Sequence, residues 1–272
     1  LESIPHCEFD LREHTIFAFD TETTGLDLLE DRIVQIGGVH VRRGIKVGQR
    51  RSSLVNPGVP IPAEASRVHG ITDAAVATAP NFAEVGARFV LHLLSDDQGV
   101  PPILCGYNAL AYDVPIINAE LHRHGLEYRI DPTIVLDPLI FIRWHHRGLR
   151  SRKLESLARH YQVPLDNAHS AAADAEATAL LLWRLHEAGL VPSNLRDALA
   201  EQHRLEEQLD DEWNRLGRAL YLDRQDQRPR LGFGAHSGEL LEETSQDYLR
   251  WCLAKMDDLT EEARRLIQHA AV

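Results

Sequence analysis

Residues 16–22 read IFAFDTE. Four apolar residues, two of them Phe, followed by acid–Thr–acid describe a buried strand that ends in charge. Side chains two apart on a strand point to the same side, so Asp20 and Glu22 are delivered to one point. TTGLD (23–27) then makes a turn punctuated by Gly25. DRIVQIGGVHVRRG (31–44) is expected as a second strand and KVGQRRSSLVNPG (46–58) as a third, with Gly44 and Gly48 in the connection. The three suggest an antiparallel meander.

Helices alternate with strands after that point. IPAEASRVHGIT (61–72) is a short helix and loop, and NFAEVGARFVLHLLS (81–95) an amphipathic helix with Asn81 as N-cap. PPILCGYN (101–108) is a buried strand. DVPIINAELHRHG (113–125) is a helix from about Val114 to His124, capped by Asp113 and ended by Gly125. PTIVLDPLIFIRW (132–144) reads as strand then helix, and KLESLARHYQV (153–163) as a helix. SAAADAEATALLLWRLHEAG (170–189) is a strong helix capped by Ser170 and stopped by Gly189. The class is α/β: a mixed sheet flanked by helices.

Beyond Val191 the character changes. Residues 194–222 are helical, highly charged, and apolar only along a narrow stripe of Leu195, Leu199, Leu205, Leu209, Trp213, Leu216 and Leu220. Such a stripe either packs on its own domain or serves as a linker or dimer contact. DRQDQRPR (223–230) is a polar linker, and 231–272 a small module with a Gly-rich start and two helices. The expected domains are therefore 12–191, a charged helical linker over 192–230, and a C-terminal helical module over 231–272.

The net charge of −12 speaks against a nucleic-acid binder when taken alone. Two basic clusters soften that objection: Arg42, Arg43, Lys46, Arg50 and Arg51, and the run RWHHRGLRSRK from Arg143 to Lys153. Carboxylates that hold metals also add to the count without repelling phosphate once the metals are bound. Cys7, Cys105 and Cys252 are odd in number and widely spaced, which suits a reducing compartment rather than a disulfide framework. The apolar runs break within about ten residues, too short to span a bilayer. No signal-peptide pattern is present, so a cytoplasmic location and no membrane partner are expected. The chain begins at Leu1 and its one methionine is Met256, so removal or replacement of an initiator is expected, with loss of a targeting segment left open.

Three sets of residues carry chemistry. Asp20 and Glu22 end an apolar strand, and buried carboxylates need compensation. Hard, acidic, closely spaced oxygen ligands suit Mg²⁺ or Mn²⁺. The plain alternative is a strand end meeting water. Asp113, with Asn108 upstream in GYNALAYD, could simply cap a helix. His169 and Asp174 lie before and within the first turns of an alanine-rich helix. Each set alone says little, but each lies at the end of an element, where active sites are built. Together they make one chemistry: a histidine that takes a proton from water, and two carboxylate-held metals that organise phosphodiester cleavage.

FDTETTGLD…DRIVQIGGV, VHGIT, GYNALAYDVPIINAEL and AHSAAADAEAT resemble the motifs of the DEDDh exonucleases, the DnaQ-like group that includes proofreading subunits of bacterial replicative polymerases. The resemblance covers roughly 14–188. It implies an RNase H-like fold and 3′→5′ exonuclease activity. Asp20, Glu22, Asp113 and Asp174 would hold two divalent ions, Mg²⁺ or Mn²⁺, and His169 would be the general base. Thr23, Thr24, Gly25 and Leu26 would line the terminal-nucleotide pocket, with Leu26 as a wedge. His69, in VHGIT, and Asn108 would help bind the 3′ end. Tyr112 stands where many relatives have Phe. The tail resembles the small C-terminal module of exodeoxyribonuclease X-like proteins, through Phe233, Gly234, His236, Gly238, Tyr248, Leu249, Arg250 and Trp251; the basic residue common near Gly238 is replaced by Ser237 and Glu239.

The expected function is hydrolysis at nucleic-acid 3′ ends, DNA favoured over RNA and single-stranded or frayed ends favoured, releasing nucleoside 5′-monophosphates, with DNA repair among the roles. An RNA-trimming enzyme of the same fold is the alternative within the class. A scaffold subunit, or a homodimer or protein partner held through 195–220 or the C-terminal module, is the alternative outside it.

Overall fold

The computed structural model describes residues 9–96, 98–149, 151–166 and 169–272; Cys7 and Arg150 lie outside the described residues. The elements run β1 (Ile16–Thr23), β2 (Ile33–Arg42), β3 (Ile45–Leu54), α1 (Ala63–His69), α2 (Asp73–Val76), α3 (Phe82–Leu94), β4 (Ile103–Cys105), α4 (Asp113–Arg123), β5 (Val135–Leu136), α5 (Pro138–His145), α6 (Leu154–His160), α7 (Ala171–Glu187), α8 (Leu195–Leu216), β6 (Leu220–Leu222), β7 (Pro229–Leu231), α9 (Gln246–Lys255) and α10 (Glu261–Ala270). The sheet of five strands has the order β3-β2-β1-β4-β5. The meander β1–β2–β3 is antiparallel, and β4 and β5 run parallel to β1.

The hairpin between β2 and β3 is tighter than expected. Arg43 and Gly44 alone form its turn, both at positive φ, which matches the right-handed strand twist. Gly48 therefore lies inside β3 rather than in the connection.

Alternation along β1 assigns its two faces. Phe17 and Phe19 join Phe82, Val85 and Phe89 of α3 and Val114, Ile117 and Leu121 of α4 in one buried core. Asp20 and Glu22 belong to the opposite set, and α7 packs on that face. Asp20 pairs across the ladder with Gly37. A Cβ at Gly37 would lie 2.4 Å from the Ala172 backbone nitrogen, so the absent side chain is what lets the start of α7 press onto β2. Gln35 Oε1 accepts the Ala171 N–H at 2.9 Å and fixes that seat.

Two caps differ from expectation. The N-cap of α4 is Tyr112 and makes no side-chain capping bond; the Asp113 carboxylate instead accepts from Thr21 Oγ1 at 2.6 Å. Ser170 occupies the N-cap of α7 without a side-chain cap, and its carbonyl takes the Ala173 and Asp174 N–H groups. Asn81 caps α3 as expected, accepting from the Glu84 N–H.

The chain packs as two units, Leu1–Leu139 with Lys153–Gln202, and Ile140–Arg152 with His203–Val272. In the first, Gln202 is buried: its Oε1 accepts the Asp137 N–H and its Nε2 donates to the Val135 carbonyl. That explains why the first part of α8 belongs with the sheet. In the second, β6 and β7 form a hairpin, and 223–228 is its loop rather than a linker. Leu216, Leu220, Leu231, Leu241, Leu249, Cys252, Met256, Ala263 and Ile267 build its core. The narrow stripe of α8 and β6 is buried within the single chain at Leu195, Leu199, Leu205, Leu209, Leu216 and Leu220; Trp213 is 55% exposed. No helix among the described residues is long and apolar enough to cross a membrane.

Gly37→Ala forces a methyl against the α7 backbone. Denaturant unfolding is expected to show a loss of about 1–3 kcal/mol, the range for overpacking. An unchanged midpoint would mean that α7 is not seated on β2 as described.

Candidate active site

β1 carries Asp20 and Glu22 to its end, α7 sets Asp174 one turn in, and α4 presents Asp113 at its first residue. Asp20, Glu22, His169 and Asp174 line one pocket of about 380 Å³, with Thr21, Tyr107, Lys153, Leu154 and Glu155. Ligand atoms of Glu22, His169 and Asp174 lie within 4.8 Å of one another. Asp113 is tied in from behind by Thr21.

The electrostatics are those of crowded acids. Burial, and then the charges of Asp113, Asp174 and Glu22, push the Asp20 carboxyl well above its ordinary range. Burial followed by Asp174 and Asp113 pushes Glu22 up to about 7. Burial raises Asp113 to about 6, against the opposing hydrogen bond from Thr21. Burial also raises Asp174, opposed by the His169 N–H at 2.9 Å. Such a set is poised to take up positive charge, and its all-oxygen donors fit Mg²⁺ or Mn²⁺.

His169 is half exposed, with φ +68, and its Nε2 lies 3.4 Å from Glu155 Oε1 on α6. Glu155, Lys153 and Tyr107 are not recognisable as site residues from sequence. Their separation from the acidic motifs is set by the tertiary fold, and the only signal is that Lys153 closes the basic run.

Around the pocket, the Thr23 hydroxyl bonds the Gly25 carbonyl at 2.8 Å and the Tyr112 hydroxyl at 2.6 Å. Tyr112 Oη also donates to the Gly25 carbonyl, a bond that Phe could not make. His69 Nδ1 accepts the Ile71 N–H, so Nε2 carries the proton donated to the Thr23 carbonyl. Burial lowers the His69 pKa, which keeps that ring neutral. Thr24 Oγ1 is spent on Asp31. Leu26 projects, 83% exposed. Asn108 has φ +56, and its N–H goes to the buried carboxylate of Asp137, which also accepts from Leu110 and Leu139. Burial raises Asp137 to about 7. Asp137 thus holds the loop that leads into Asp113.

The exonuclease family of the RNase T type matches residues 17–182, the span that contains every residue of this cluster. The chain belongs to that family, the DnaQ-like DEDDh 3′→5′ exonucleases, which are metal-dependent phosphodiester hydrolases. It is 34% identical over 176 residues to a PolC-type DNA polymerase III of Oceanobacillus iheyensis, covering 65% of this chain and 12% of that protein. It is 36% identical over 184 residues to a DNA polymerase III subunit epsilon-like protein of Rhodobacter capsulatus, covering 65% of this chain and 24% of that one. The chain therefore spans a small part of the length of these relatives. Among solved structures, exonuclease X with 5′-overhanging duplex DNA aligns over 68% of this chain and 99% of its own, at TM-score 0.50 and 24% identity. A zinc-bound complex of E. coli exonuclease I with single-stranded DNA aligns over 75% and 44%, at 0.54 and 21%. At these identities the solved structures establish the shared RNase H-like exonuclease fold.

The raised carboxyls fix the sign of a pH effect. With folded pKa values above the unfolded ones, the metal-free fold holds extra protons between about pH 4 and 7, so its stability falls as pH rises through that window. For Glu22, a rise from 4.5 to about 7 corresponds to roughly 3 kcal/mol. Glu22→Gln should melt above the parent in chelator near neutral pH and level with it at about pH 4. Parallel melting curves across that range would contradict the crowding.

Proposed function

We propose that the chain hydrolyses phosphodiester bonds at nucleic-acid 3′ ends, releasing nucleoside 5′-monophosphates, with single-stranded or frayed DNA as the favoured substrate. The observation that carries the proposal is the convergence of Asp20, Glu22, His169 and Asp174 on one pocket, with Asp113 tied to it through Thr21. The DNA preference is supported by the polymerase relatives and by the DNA-bound exonucleases that share the fold.

In this reading Asp20, Glu22, Asp113 and Asp174 would hold two divalent ions, Mg²⁺ or Mn²⁺. When bound, such ions supply positive charge against the phosphate and Lewis acidity. His169 accepts a proton from water on a ring nitrogen. The water oxygen bonds to the terminal phosphorus, the bond from phosphorus to the 3′ oxygen of the preceding nucleotide breaks, and that oxygen leaves on the shortened strand. Glu155 braces the His169 ring. Thr23, the Gly25 backbone and exposed Leu26 meet the terminal nucleotide. His69, with both ring nitrogens committed to backbone, shapes this pocket by bracing Thr23, and Asn108 helps seat the 3′ end from the loop held by Asp137. We assign the nuclease to 12–191 and an exodeoxyribonuclease X-like module to 231–272, the module sharing its core with the second half of α8 and with β6, and a cytoplasmic role in DNA repair.

The test uses 3′- and 5′-labelled single-stranded DNA and RNA with Mg²⁺, with Mn²⁺ and with EDTA. Metal-dependent shortening from the 3′ end, faster on DNA, is expected. His169→Ala should lower turnover by about 10²–10⁴-fold, the range for a general base, with an unchanged melting profile. Near-parental turnover in His169→Ala would overturn the role. Faster loss of RNA would make the chain an RNA-trimming enzyme, and no shortening of any substrate would favour a scaffold.

A further inference from the structure

The two basic clusters meet different fates in the fold. The one on β2 and β3 is largely neutralised: Arg43 pairs with Glu13 at 2.8 Å, and Lys46 and Arg50 share Glu176 at 3.5 and 2.7 Å. In the other, Arg143, Arg147 and Arg152 gather further arginines from α8 and the β6–β7 loop, and these arginines all lie within the second unit. Arg147 and Arg224 both pair with one carboxylate, the buried Glu212. Arg152 Nη2 donates to the carbonyls of Arg147 and His146. Arg224 lies over Trp144, its Cζ 3.6 Å from the ring centroid, and Arg204 approaches the same ring at 5.6 Å.

Among the described residues, acids besides Glu212 also face this group. Glu206 lies beside Arg143, and Asp223 beside Arg224, but Asp223 and Asp226 are bound by Arg230. Burial, and then the like charges of Arg224, Arg152 and Arg143, pull the Arg147 guanidinium down to about 9. Arg147 Nε and Arg224 Nε and Nη2 are buried with no hydrogen-bond partner among the described residues. Crowded cations with unused donors are the mirror image of the crowded acids of the catalytic pocket, and they are relieved by the opposite ligand, an anion.

We propose that this cluster, built on Arg143, Arg147, Arg152 and Arg224 with Trp144 beneath, binds the phosphodiester backbone of a nucleic-acid strand. The guanidiniums come from separate segments, which suits successive phosphates of a strand better than one small anion. Guanidinium forks match phosphate oxygens, and Trp144 backs the Arg224 guanidinium. The inference rests on the nuclease reading, which supplies the polyanionic substrate.

The test is binding of a long single-stranded DNA by the full chain in EDTA, across a salt series, for the parent, for Arg143→Gln with Arg152→Gln, and for the matching Lys pair. The Gln pair should weaken binding on the order of tenfold and flatten the slope of log affinity against log salt by about 0.7 for each phosphate that is no longer neutralised. The Lys pair should keep most of the affinity, which a purely structural role for these side chains would not allow. Hydrolysis of a trinucleotide in Mg²⁺ should be unchanged in both. Parental affinity and slope in the Gln pair would overturn the proposal. So would displacement of the strand by inorganic phosphate well beyond that by chloride at equal ionic strength, which would mark a small-anion pocket. Parental hydrolysis reads separately on the catalytic proposal: a parent that cleaves, with Gln variants that bind normally, sinks only the arginine site.

Discussion

Mutual repulsion among Asp20, Glu22, Asp113 and Asp174 is the constraint around which the first unit is arranged. Two like charges about 4 Å apart cost roughly 4 kcal/mol at an effective dielectric of 20, and burial adds to that. The cost is visible at Asp20 and Glu22, whose carboxyls are raised by burial and then by the neighbouring acids, while burial is the largest cause of the rise at Asp113 and Asp174. The fold opposes it with the apolar packing of Phe17 and Phe19 on the other face of β1. The same strand is thus an anchor on one side and a source of acids on the other.

Much of the surrounding detail keeps the acids together. Gly37 brings α7, and with it Asp174, down onto the sheet. Thr21 turns the Asp113 carboxylate inward. Asp137, one layer behind, holds the loop before α4 by its backbone, and Gln202 ties Asp137 to the start of α8. None of these touches the pocket as an acid or base does, yet each sets where an acid stands.

The sequence was legible where local pattern and chemistry coincide. The meander, the acid pair of β1, and His169 and Asp174 at the start of α7 follow from periodicity and from motifs quoted residue by residue. The capping role of Asp113 did not hold, because a partner 92 residues away in sequence outbids the local N–H groups. The 223–230 segment reads as linker by composition, but its charges serve a hairpin loop, where Arg230 grips Asp223 and Asp226. Which surfaces of the chain cover the α8 stripe could not be read from the sequence, because one helix does not reveal its own neighbours. Glu155 and Lys153 stayed invisible for the same reason: only the packed chain brings them beside His169.

Two crowded clusters of opposite charge stand in this molecule, acids in one unit and arginines in the other. For the first, the most direct measurement is calorimetric titration of Mn²⁺ into the metal-free protein at about pH 6, in buffers of different ionisation enthalpy. Ions that bind carboxylates held partly protonated must release protons. Saturable binding of two ions is therefore predicted, with proton release that shrinks as pH rises past about 7. Absence of binding, or binding with no proton exchange at either pH, would contradict the crowding of the four acids around a metal site.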